Sequence, residues 1–130
     1  MPLLAVLASG LAGFAFGALW YMALANVWQA AAGLSEETIT RTLRGYRPYL
    51  LALLANLIVA GALRHLFAAA GISGAGAGLS TGLSVGAFVA APWLVMAYAF
   101  AARGLKLTLI DAAHVVGACG AIGLVLGLFL

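Results

Sequence analysis

Charge is what this chain has least of. Only nine of its 130 residues are formally charged, six Lys or Arg and three Asp or Glu. A soluble domain carries about 25% charged residues, whereas this chain has 7%, together with 66% hydrophobic residues. No run of basic residues is present that could track a phosphate backbone, so no nucleic-acid partner is expected. A single cysteine, Cys119, excludes an internal disulfide and a cysteine metal cluster. No paired nucleophile and base, no phosphate-binding glycine loop and no metal-ligand spacing occurs, so neither enzymatic activity nor a metal site is expected. The N-terminal stretch lacks the positive start of a cleaved signal and is too long an apolar run for one, which makes it a retained helix.

What remains is apolar length. A bilayer core of about 30 Å needs roughly 20 apolar residues in a helix, and four stretches meet that need. The pattern predicts an all-α polytopic membrane protein, one transmembrane domain over residues 1–130, with helices at about 3–31, 49–69, 79–102 and 108–130. Gly33 ends the first. Between the first two lies the one truly polar segment. There Ser35 can cap, Glu36 and Glu37 suit a first turn, and Ile39 and Leu43 share a face, which predicts a short interfacial amphipathic helix at about 35–45. Gly71 to Gly78 has the composition of a flexible linker. Pro92 should kink the third helix.

Five of the six basic residues, Arg41, Arg44, Arg47, Arg103 and Lys106, fall in the first and third connections. The positive-inside rule places those connections in the cytoplasm and both termini outside.

Lipid removes the hydrophobic drive between helices, so close packing at small residues has to hold them. Gly13 and Gly17 in the first helix, Gly78, Gly82 and Gly86 in the third, and Gly123 and Gly127 in the fourth are the expected packing seams. They also suggest a surface for further copies or other membrane subunits.

Polar residues inside a membrane span are costly and are candidates for function. Asp111 and His114 lie three apart on one helix face, as a carboxylate and the imidazole it can orient would. Thr108 and Asp111 alternatively fit a capping box at the start of the fourth helix. Asn26, Gln29 and Asn56 can cross-link helices by amide hydrogen bonds, and Arg64 can snorkel to the outer interface. Small residues around His114 leave open its use as an axial ligand to haem or a pigment. Otherwise no cofactor is expected.

Residues 17–37 go beyond composition. Gly17, Ala18, Leu19, Trp20 and Tyr21, then Trp28, then Gly33, Leu34, Ser35, Glu36 and Glu37 resemble the signature of DUF1761, a family of small bacterial four-helix membrane proteins of unknown function. The later half, with Gly82, Gly86 and the Ile110, Asp111 pair, is similar to the less distinctive half of that family. A lysine usually precedes the second tryptophan in relatives, where this chain has Val27. The resemblance implies a bacterial inner (cytoplasmic) membrane and adds no mechanism. Three functions follow as expectations: a non-catalytic accessory or self-associating subunit of a membrane complex, a small oligomeric transporter or channel using Asp111 and His114, and a pigment-binding subunit.

Overall fold

In apolar surroundings every backbone polar group must be bonded within its own segment, and this chain meets that demand with helices throughout. The computed structural model describes residues 2–130, and among them no strand occurs. The elements are α1 (Pro2–Ala23), α2 (Ala25–Ala32), α3 (Glu36–Arg44), α4 (Arg47–Ala70), α5 (Ala75–Val85), a π-helical turn (Gly86–Ala90), α6 (Ala91–Phe100) and α7 (Leu105–Phe129). Four helical segments are long and apolar enough to span a membrane: Pro2–Ala23, Arg47–Ala70, Ala75–Phe100 and Leu105–Phe129.

Three boundaries differ from expectation, each for a physical reason. The first helix is broken at Leu24 (φ −107°, ψ 16°) into α1 and α2. The rings on either side of the break are held on α7, and the bend keeps both in reach of it. The third helix begins at Ala75 rather than Leu79, so half of the expected linker is helical. Glycine is a poor helix former, but Gly78 is where α5 lies directly on the α7 backbone, and that packing outweighs propensity. The fourth helix begins at Leu105, three residues early, with Gly104 before it and no side-chain cap.

The third span leaves α geometry just ahead of its proline. Pro92 lacks an N–H, and in a regular helix its ring would strike the carbonyl four residues back. The backbone opens into a π turn just before it, with the Ala91 N–H donating to the Gly86 carbonyl. The interfacial helix forms as expected. Ser35 accepts from the Thr38 N–H at 3.2 Å, both glutamates occupy the first turn, and Ile39 is its buried residue.

Helix α7 is the hub. It packs along α5 on one side and α1 on the other, while α4 rests mainly on α1. The main apolar core joins Ala5 of α1, Ala60, Leu63 and Phe67 of α4, and Ile122 and Leu126 of α7. Starts of odd spans thus meet ends of even spans, giving an up-down bundle with both termini at one end. At that end the Gly74 N–H donates to the Gly127 carbonyl at 2.9 Å.

All seven glycines expected in seams sit at contacts inside the chain. A Cβ on Gly78 would strike the Gly123 carbonyl, one on Gly82 the Cys119 carbonyl, one on Gly123 the Gly78 carbonyl, and one on Gly127 the Gly74 carbonyl. Gly86 meets Val116. Gly13 meets Asn56 and Ile122, and Gly17 meets His114. The expected role of these glycines as a surface for further subunits is therefore corrected: the seams are already filled from within.

Candidate functional site

The site forms at the end of the bundle opposite the termini, where a tight turn brings α6 back onto α7. Ala102 closes it in the left-handed conformation (φ 57°), and the Arg103 N–H reaches back to the Tyr98 carbonyl at 2.9 Å. Residues on either side of such a turn face each other, which puts Tyr98 opposite Asp111.

Asp111 is 7% exposed, and its carboxylate accepts three hydrogen bonds from three elements. Tyr21 Oη of α1 donates to Oδ1 at 2.6 Å, Trp28 Nε1 of α2 to Oδ1 at 3.1 Å, and Tyr98 Oη of α6 to Oδ2 at 2.6 Å. One residue earlier on α7, the Ile110 carbonyl accepts from Trp20 Nε1 at 3.2 Å. Tyr21 and Trp28 are seven apart, two helical turns, so one face of the first span presents both donors. Their rings pack edge to face, 5.9 Å between centroids. Short bonds from neutral donors to a buried carboxylate satisfy it without a counter-ion.

This geometry corrects two expectations. Asp111 does not cap: α7 starts six residues before it, and the Thr108 hydroxyl donates to the Gly104 carbonyl at 2.9 Å instead. Nor does the carboxylate orient His114. The imidazole packs against Tyr21, 4.8 Å between centroids, and stacks on Phe16 at 6.3 Å, with no hydrogen bond among the described residues. A Cβ added at Gly17 of α1 would come within 2.8 Å of Nε2, so only a glycine there leaves room for the ring.

The other candidates are scattered. Asn26 is exposed on α2. Asn56 Nδ2 donates to the Ala52 carbonyl of its own helix at 2.8 Å, so it does not cross-link. Arg64, at the far end of the bundle from Asp111, is partly buried, and its Nε has no partner among the described residues. Sequence reasoning placed none of Tyr21, Trp28 and Tyr98 in a site, and it did not single out Tyr98 at all. Its signal was a phenol within an apolar span, which needs a partner for its hydroxyl.

Beside the cluster, the first half of α4 is exposed along most of its length. A groove of about 440 Å³ opens there between α1, α2 and α4, with His114 in its wall.

Fold and site together define an all-helical bundle with four segments long and apolar enough to cross a membrane, in which α7 is tied to the other helices through one buried acid. The family model described as "Protein of unknown function (DUF1761)" matches residues 4–127, and the chain belongs to that family. No curated protein and no solved structure matches it.

Proposed function

We propose that the chain is a non-catalytic subunit of the bacterial inner membrane, self-associating or accessory to a larger membrane complex. The observation that carries this is the saturation of Asp111. A carboxylate lining a permeation route exchanges partners with water or solute, whereas this one accepts from Tyr21, Trp28 and Tyr98 and is 7% exposed. Such a group ties helices. The spans also keep most of their surface outward, with only 11% of the most apolar window of the third span buried, which leaves broad faces for neighbouring subunits.

The test is mass and flux on one preparation. Mild-detergent extraction should yield particles heavier than the 13.1 kDa chain after correction for bound detergent. Vesicles holding the protein should pass protons and small solutes no faster than empty ones. Flux that Asp111→Asn with His114→Ala abolishes, at unchanged particle mass, would establish the transporter instead.

We further propose that the α2–α4 connection and the 101–104 turn face the cytoplasm, with both termini outside. Arg41, Arg44, Arg47, Arg103 and Lys106 gather at that end, and Arg64 alone is basic near the other. In a Cys119→Ser background, Thr40→Cys in intact spheroplasts should resist a membrane-impermeant maleimide, and Ser73→Cys should react. The reverse pattern would invert the topology.

A further inference from the structure

The groove beside the Asp111 cluster is half open and mostly apolar, and a few polar side chains in its wall keep unused hydrogen-bonding capacity. We propose that it binds a neutral, flat, ring-bearing molecule dissolved in the membrane, with carbonyl oxygens on the ring, of the quinone class.

The volume, about 440 Å³, lies in the range of small-molecule sites. Phe14, Tyr21, Trp28 and Tyr49 supply aromatic walls. Such walls suit a planar ring. The exposed Ala18, Ala52 and Ala55 border the opening, so access is sideways from lipid rather than from the aqueous end. At the aqueous end the rim is tied, since Tyr49 Oη donates to the Leu43 carbonyl at 2.9 Å and joins α3 to α4.

Three lining side chains bring unsatisfied hydrogen-bonding capacity. The His114 imidazole and the Gln29 amide make no hydrogen bond among the described residues, and Asn56 spends only one of its two Nδ2 N–H donors, on its own helix. His114 and Asn56 both lie about 13 Å along their helices from the loop-side end, at 1.5 Å per residue. They therefore sit at one depth within the hydrocarbon, where unpaired polar groups cost several kcal/mol in general. A ring carbonyl accepts from an imidazole N–H or an amide N–H and satisfies them.

The lining also selects the head. None of its described residues is Lys, Arg, Asp or Glu, so an anionic or cationic head finds no counter-charge. Asp111 lies behind Tyr21 and Trp28 with both oxygens engaged. This site stands apart from the subunit role, and its failure leaves that role untouched.

Tryptophan fluorescence reads the site directly, because Trp28 is in the wall and quinones quench indole emission. Titration of the detergent-purified protein with decylubiquinone should give saturable quenching. Ala55→Phe, which fills the groove from an exposed alanine, and His114→Leu, which removes the donor, should each weaken binding about tenfold or more. Circular dichroism melting checks that both remain folded, and the exposed Ala55 site protects the fold if His114→Leu does not. Trp93→Phe, remote from the groove, should leave the saturable component in place. Linear quenching that is equal in wild type and Ala55→Phe would mean partition into the micelle and would overturn the proposal. Equal competition by oleate would overturn the neutral-head assignment.

Discussion

Gly78→Leu is expected to leave little folded protein. The position faces the α7 backbone, and a Cβ there would meet the Gly123 carbonyl and the Gly127 Cα, neither of which can rotate away. Helices α5 and α7 would have to separate along the seam that Gly82, Gly120 and Gly123 share. Overpacking a site walled by flexible side chains costs about 1–3 kcal/mol, and a rigid backbone wall should push the loss to about 4 kcal/mol or more. Gly61→Leu is the control. Nothing lies within 4 Å of a Cβ there, and its change should stay within about 1 kcal/mol. Thermal unfolding in detergent, followed by circular dichroism, compares the two. A wild-type melting curve for Gly78→Leu would show that the helices do not meet there.

The second large effect is at Asp111. Asp111→Ala leaves Tyr21 Oη, Trp28 Nε1 and Tyr98 Oη without their acceptor. An orphaned buried donor costs about 1–3 kcal/mol, and three sharing one acceptor are not additive, so a loss of about 3–5 kcal/mol is expected. Asp111→Asn should cost less, about 1–2 kcal/mol. Its remaining oxygen still accepts from Tyr21 and Trp28, and the Tyr98 hydroxyl can turn to accept from the new amide. The ordering of the two variants is the diagnostic. If alanine and asparagine destabilise equally, hydrogen bonding to Asp111 is not what joins the spans.

Much of this fold is legible in the sequence because bilayer thickness and backbone bonding leave few solutions. Hydrophobic length alone locates four spans, and Ser35 with its glutamates locates the interfacial helix. Glycine spacing also points to the right faces, but it is silent on which face meets which. The structure pairs Gly78 with Gly123 and Gly13 with Ile122, choices that depend on three-dimensional fit. Local signals misled at the start of α7, where Thr108 and Asp111 match a capping box. A capping box describes two neighbours in sequence, whereas the partners of Asp111 lie 90, 83 and 13 residues upstream of it. By position alone, late in the first span, the rings of Trp20, Tyr21 and Trp28 suit a membrane–water boundary. Their polar atoms instead point inward to α7, which no periodicity reveals.

The central place of α7 also sets a calendar for synthesis. Spans emerge in chain order, and α1 and α4 can pair as soon as both are inserted. The third span has its main partner in α7, and the Tyr21, Trp28 and Tyr98 donors all wait for an acid that is made after them. A nascent chain therefore carries unpaired phenol and indole groups until the 25-residue α7 has been made and has packed against them. Late frameshifts and stalled translation should thus be as damaging as early ones, releasing inserted spans that membrane proteases can recognise.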